Sequence, residues 1–393
     1  MSDTTRVPDG DVKVHWFLPT SGDGRSIVEG SHASRSSGTA DAFRFPTLDY
    51  LTEVARAADR LGYEAVLTPT GTWCEDAWLV TAALISQTSR LKFLVAFRPG
   101  VVSPTLAAQM AATYQRLSGG RLVLNVVTGG DGSEQRRFGD WLDHDERYDR
   151  TREFLEVVRG VWSGTPLDYD GRHYRVRDAR VSLPPTPVPQ VYFGGSSDAA
   201  LPVAAEQADV YLTWGEPPAQ AKAKIDEVRR LAAERGRELR FGVRLHVITR
   251  DTSEEAWAVA QRFVDRLTPE QVQAARTLFQ GSASVGQQRM TALNGAFDGT
   301  ARSLEIHPGL WAGVGLVRGG AGTALVGSHE EVADLVAEYH AAGFDEFVLS
   351  GYPHLEEAYW FGEGVRPLLD ARGLTTPAAP TGPTGEALTR VVV

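Results

Sequence analysis

The chain has 393 residues, 42% of them apolar and 23% charged, which is the make-up of a folded globular protein and excludes disorder along the whole length. Its formal net charge is −10 and it has no long basic run, so a nucleic-acid backbone is not an expected partner. The single cysteine, Cys74, can form no internal disulfide, no Cys/His spacing reads as a zinc site, and neither a secretion signal nor an apolar span of about eighteen residues is visible, so the expected location is the cytoplasm.

Taken in chain order, short apolar runs alternate with longer amphipathic ones. The strand-like runs are VHWFLP (14–19), AVLTP (65–69), KFLVAF (92–97), RLVLNVV (121–127), QVYFGG (190–195), DVYLTW (209–214), RFGVRLHVI (240–248) and EFVLSG (346–351). Most are apolar without strict alternation, as expected of parallel strands buried on both faces. Between them, stripes of period three and four predict helices, beginning with LDYLTEVARAADRLGY and continuing at 76–86, 104–117, 147–161, 198–206, 217–234, 253–266 and 329–342. Eight strands each followed by a helix predict a (β/α)8 barrel within one domain, 1–372, because each helical crossover returns the chain to a parallel neighbour. A doubly wound open sheet is the alternative, though it ordinarily carries a Gly-rich turn after its first strand. Residues 20–46 read as a long first loop, 162–189 as an insertion holding a surface hairpin around Asp170-Gly171, and 267–327 as a lid. The Pro/Gly/Thr-rich tail 373–393 reads as flexible.

In such a barrel, chemistry belongs at the C-terminal ends of the strands. Gly194, Gly195, Ser196 and Ser197 follow the fifth strand and offer backbone N–H groups and hydroxyls to a phosphate; a plain turn with a serine helix cap is the competing reading. Arg244 and His246 lie two apart on one strand and so share a face, either as an anion site with a proton donor or as a structural pair. Glu75 and Asp76 beside Cys74 argue against a thiolate nucleophile. Trp214 and Tyr352 offer aromatic faces to a planar ligand. The Gly-rich run 313–327 lacks the terminal Gly-Lys-Ser/Thr of a nucleotide loop and reads as a flexible loop carrying Arg318. His354, Glu356 and Glu357 read as a helix cap with solvated charges rather than a metal site. A phosphate loop and aromatic faces at a barrel mouth together suggest FMN.

The strings WFLPT, CEDAW, SPTLAAQMAATYQRLSGGR, LNVVTGG, YFGGSSD, YLTWGEPP, FGVRLHVI, SVGQQRM, LWAGVGLVRGGAGTALVG and SGYPHLEEAY, spread over about residues 13–370, resemble the alkanesulfonate monooxygenases of the bacterial-luciferase-like flavin family. The resemblance implies a TIM barrel that accepts FMNH2 from a separate NAD(P)H-dependent FMN reductase, uses O2 to cleave the C–S bond of an aliphatic sulfonate, releases an aldehyde and sulfite for sulfur acquisition, and forms a homo-oligomer, dimer or tetramer. Carried over by motif, Cys74 would lie near flavin and substrate, and Arg244 and His246 would bind the anion and move a proton. Trp214 would line the pocket, Arg318 would close over the sulfonate, and Tyr352 would complete the site. Asn125 and Thr128 would touch the flavin ring, while Tyr148, Gly195, Ser196 and Ser197 would hold its phosphate. His246 is expected to titrate near neutrality.

The chain departs from the family pattern at Ser21, where the family has His, and at Gly71-Thr72-Trp73, where it has Gly-Arg-Ser. Both changes fall at the expected substrate mouth, which leaves room for another organosulfur substrate such as a sulfone. Hydride transfer with a deazaflavin on the same barrel, and a non-catalytic flavin or anion binder, are the readings from other classes.

Overall fold

The computed structural model describes residues 11–28, 43–130, 132–280, 282, 284–295 and 297–376. Much of the first loop (29–42) and most of the tail (377–393) lie outside these residues. The elements run β1 (Lys13–Phe17), α1 (Leu48–Arg60), β2 (Ala65–Thr68), α2 (Ala77–Leu84), β3 (Lys92–Phe97), α3 (Pro104–Ser118) and β4 (Leu122–Val126). They continue with α4 (Gly132–Arg137), α5 (His144–Trp162), β5 (Leu167–Asp170), β6 (Arg175–Ala179), β7 (Val191–Phe193), α6 (Ala200–Gln207), β8 (Val210–Trp214), α7 (Pro218–Ala233) and β9 (Arg240–Arg250). The last third holds α8 (Ser253–Asp265), α9 (Pro269–Gln280), α10 (Val285–Ala292), β10 (Glu305–His307), β11 (Leu310–Trp311), β12 (Ala324–Ser328), α11 (His329–Ala341), β13 (Glu346–Ser350), α12 (His354–Tyr359) and α13 (Arg366–Ala371).

Strands β1, β2, β3, β4, β7, β8, β9 and β13 pair in parallel in that order, and β13 pairs back onto β1, so the sheet closes as a (β/α)8 barrel. These are the eight runs expected from the sequence. Local signals fix where the crossovers begin: Thr47 caps α1 by accepting from Tyr50 N, Ser103 caps α3 ahead of Pro104, and Thr252/Glu255 and Ser328/Glu331 form capping boxes on α8 and α11. Outward side chains such as Trp16, Phe93, Phe193 and Phe347 are fully buried beneath the helices; each contributes about 1.5–3 kcal/mol by leaving water. Inward ones, among them Leu67, Leu94, Val123, Tyr192, Leu212 and Val348, fill the bore. At its N-terminal end Glu346 is fully buried and accepts from Tyr192 Oη at 2.5 Å, while His15 Nε2 and Arg240 Nη1 lie 2.7 and 3.0 Å from its carboxylate.

The insertion differs from its expected form. Residues 267–327 contain the lid-like helices α9 and α10, but they end in β10, β11 and β12, a small ladder in which β12 pairs in parallel with the last five residues of β9. The run 313–327 is therefore no flexible loop. Val314, Leu316, Val317, Ala324 and Val326 pack into a second core with Trp257 and Trp311, so burial overrides the glycine content. Strand β9 thus belongs both to the barrel, which it joins through β8 and β13, and to the side ladder, which its last five residues join to the same sheet through β12. The expected hairpin exists as the antiparallel pair β5–β6.

Candidate active site

Along β9, Arg244 and His246 alternate with Val243, Leu245 and Val247, whose side chains belong to the outer core, so both face the bore at its C-terminal end. Arg244 is buried and its guanidinium lies 4.9 Å from the centre of the Phe17 ring. It donates to the carbonyls of Leu245 and Val348 and, through Nη2, to Ser350 Oγ at 2.8 Å. Burial lowers its pKa to about 10, helped by Arg318 and opposed by Tyr352, so it remains charged at neutral pH.

Ser350 has one hydroxyl proton. Having accepted from Arg244, it donates that proton to His246 Nδ1 at 2.7 Å, which leaves the His246 Nε2 proton for the Ala321 carbonyl at 3.0 Å. The imidazole is thus a single neutral tautomer. Burial, and then the charges of Arg244 and Arg318, push its pKa well below 6.5, which corrects the expectation that it titrates near neutrality. Tyr352 stacks on His246 with ring centres 5.4 Å apart, and the Arg318 guanidinium lies 4.9 Å from the centre of the Tyr352 ring. Burial raises the Tyr352 pKa, so the phenol stays protonated. Arg318 also donates to the Ile27 carbonyl at 3.1 Å, which ties the insertion to the loop after β1.

That loop carries a further network. Asp23 accepts from Tyr50 Oη at 2.5 Å and from His354 N at 2.7 Å, and His354 Nδ1 lies 3.0 Å from its other oxygen. Burial alone would raise the Asp23 pKa, but His354 and Tyr50 outweigh it and the net shift is downward. The expectation of solvated charges at 354–357 is likewise corrected. Glu357 is buried against Arg250, and Glu356 pairs with Arg44.

On the other half of the mouth, Asn125 stands two residues beyond the bore-facing Val123, shares its face and so points inward from the end of β4. Thr128 Oγ1 instead pairs with Thr151 of α5 at 3.3 Å. After β7, helix α6 begins at an Ala199 cap with no side-chain hydrogen bond, so neither Ser196 nor Ser197 is spent as a helix cap. Ser197 Oγ is buried with no hydrogen bond of good geometry. Tyr148 faces Ser197, Tyr211 faces Ser196, and Tyr211 Oη donates to the Gly195 carbonyl at 2.7 Å. A Cβ on Gly195 would come within 3.1 Å of Tyr148 Oη, so the space there exists only because the residue is glycine. Such a cradle of two hydroxyls and two phenols fits a phosphate.

Cys74 lies apart from the cation cluster, over β2 and β3, in the wall of a cavity of about 310 Å³. Its thiol is pushed up to about 12, by burial first and by Glu134 and Glu75 in addition. The same cavity exposes a group that the sequence reading passed over. Arg98 stands two residues beyond the bore-facing Ala96 and forms a buried ion pair with Glu134 of α4 at 2.6 Å. The positional rule that singles out Arg244 applies equally to the end of the third strand. Ser350 could have been found the same way, whereas the Asp23 network spans 331 residues and has no local signal.

Trp214 ends β8 beneath α10, where a Cβ on Gly286 would come within 3.0 Å of its ring. Arg289 of α10 reaches Glu216 at 3.3 Å, and Glu216 also holds the buried Lys224 of α7. Helix α10 is thereby tied to the barrel beside Trp214.

Barrel and site together define an enzyme of the (β/α)8 class with its polar groups gathered at one rim. Residues 12–346 match the model of the luciferase-like monooxygenases, and the chain belongs to that family. Solved structures with the same fold include EDTA monooxygenase from Chelativorans sp. BNC1, 21% identical over 95% of this chain and 96% of that one with a TM-score of 0.73. A riboflavin lyase, bound to a modified FMN and riboflavin, is 21% identical over 94% of each chain with a TM-score of 0.76. The coenzyme F420-dependent tetrahydromethanopterin reductase of Methanopyrus kandleri is 18% identical over 91% of this chain and 99% of that one, with a TM-score of 0.63. Among the described residues no helix is long and apolar enough to cross a membrane.

Proposed function

We propose that the protein is the oxygenase of a two-component system, using FMNH2 delivered by a separate NAD(P)H-dependent reductase to cleave an aliphatic sulfonate to an aldehyde and sulfite. The observation that carries this reading is the pair of guanidinium groups, Arg244 and Arg318, disposed about His246 and Tyr352 at the rim. Arg318 adds to burial in lowering the Arg244 pKa, and two cations held together favour a negatively charged guest. A sulfonate is a permanent anion, and guanidinium forks supply both charge and directed donors.

Bound reduced FMN would supply the electrons that activate O2. Gly195, Ser196, Ser197 and Tyr148 would hold its phosphate and Asn125 its ring edge; Thr128, whose hydroxyl is engaged by Thr151, would contribute backbone and shape. Arg244 and Arg318 orient the sulfonate, Trp214 and the latched α10 exclude water, and Tyr352 holds its proton at the hydroxyl. Neutral His246, bonded at both nitrogens, positions Arg244 through Ser350. Because the Ala321 carbonyl belongs to the insertion, movement of that segment would free Nε2 for proton transfer. A homo-oligomer is part of this reading.

The test is sulfite release from a panel of sulfonates and sulfones in the presence of FMN, NADH and a flavin reductase. Sulfite from a sulfonate, lost on Arg244→Ala, is the expected result. Turnover with reduced F420 and inactivity with FMN would replace this reading by the deazaflavin one, the chemistry named for the Methanopyrus reductase of the same fold. Purification with a full complement of bound FMN would count against delivery from a partner.

A further inference from the structure

We infer that the cavity over β2 and β3 receives the apolar body of the substrate and that Arg98 donates to an uncharged oxygen carried on that body. The inference rests on the monooxygenase reading and narrows its substrate class. Trp78, Phe97, Val102, Met110 and Phe138 supply apolar wall to this space of about 310 Å³, a volume at the lower end of those that hold small molecules. Within that wall stands Arg98, 7% exposed, which uses only one of its three nitrogens, Nη2 donating to Glu134 at 2.6 Å and to the Thr70 carbonyl at 3.5 Å. Nε and Nη1 are buried with no hydrogen-bond partner. Buried guanidinium N–H groups are costly to leave unpaired, so a lined cavity beside them points to a ligand that accepts from them.

The charges decide what kind of acceptor. Arg98 is already neutralised by Glu134, and Glu75 and Asp76 add two carboxylates to the lining. An anion placed here would meet a net negative surround, whereas a ketone, sulfone or amide oxygen takes the N–H groups without repulsion. The negatively charged end of the substrate belongs with Arg244 and Arg318. The loop after β1 is the wall between the two regions, since the Thr20 carbonyl accepts from Glu75 N at 3.0 Å on the cavity side while Asp23 and Ile27 meet His354 and Arg318 on the other.

Sulfite release is to be compared for ethanesulfonate, octane-1-sulfonate and 7-oxooctane-1-sulfonate, with calorimetric binding of 2-octanone to the flavin-free protein as an independent readout. The parent should prefer the oxo compound over octane-1-sulfonate in kcat/KM by about tenfold, since a site with unpaired donors rejects an analogue lacking the acceptor. Val102→Trp, which fills the cavity without touching the ion pair, should cost the eight-carbon substrates about tenfold or more, leave ethanesulfonate within about twofold, and abolish 2-octanone binding. Arg98→Met combined with Glu134→Gln should remove the preference for the oxo compound. Equal effects of Val102→Trp on all three sulfonates, or no 2-octanone binding to the parent, would overturn the inference. If 2-octanone binds in a Val102-dependent way but no sulfonate releases sulfite, the monooxygenase reading fails and the cavity assignment stands.

Discussion

Replacing Ser350 by alanine is the sharpest probe of the site, because one fully buried hydroxyl there serves both Arg244 and His246. The substitution removes little volume and leaves two groups unsatisfied. The neutral bond to His246 Nδ1 contributes about 1 kcal/mol and the charged one from Arg244 about 1.5–3 kcal/mol, so stability should fall by about 2–4 kcal/mol, a large share of a domain's usual margin. Urea unfolding at pH 7.5 measures the loss as a shift in midpoint at constant slope. Nitrogen NMR of the histidine ring reads the second consequence. With its donor gone, the Nδ1 resonance should move toward the unbonded imine position, while Nε2 keeps its proton and donates it to the Ala321 carbonyl. The pH dependence is fixed by the same geometry. The pKa of His246 is depressed in the folded state, so the unfolded chain takes up the extra proton. Stability is undiminished above about pH 6.5 and falls as the pH drops below it. A stability loss under about 0.5 kcal/mol, with an unchanged Nδ1 resonance, would refute the hydroxyl's bridging role and with it the assigned tautomer.

At the barrel floor, burial pushes the Glu346 pKa up, but His15, Arg240 and Tyr192 together hold it down at about 2. Its contribution is therefore complete above about pH 4.5 and lost as the pH falls toward 2, and Glu346→Gln should flatten the urea midpoint across that window relative to the parent. Asp23→Asn sets an amide against the donors of Tyr50 and His354 and should cost about 1–3 kcal/mol, with faster hydrogen exchange confined to the loop after β1 and the start of α12; protection unchanged there would count against the network. Arg289→Ala opens the latch to Glu216, and α10 should be cut by protease at a lower concentration than in the parent while global unfolding moves by less than about 1 kcal/mol.

Fold and site were unequally legible. The eight barrel strands were readable because each is an apolar run buried on both faces, and the crossover helices because their stripes repeat with a helical period. Strands β10 to β12 escaped because they are two to five residues long and stand among glycines, too short for any period to register. Positions on β9 could be paired from sequence by their spacing of two. That His246 is a fixed neutral tautomer depends on Ser350, 104 residues away, and on a carbonyl in the insertion, and such information resides only in the closed barrel. Arg98 shows the opposite case, a residue within reach of the positional argument whose importance emerges from its unpaired nitrogens.

The double membership of β9 bears on how such enzymes can be recombined. A chimaera that exchanges the insertion at its apparent start, after α8, would separate β12 from the five β9 residues it was shaped to match, and a slip of one position would turn every side chain of the ladder to its wrong face. The natural cut lies inside the strand, after Leu245, so that residues 246–328 travel as one cassette with all five paired positions and the recipient barrel retains its own counterpart of Arg244.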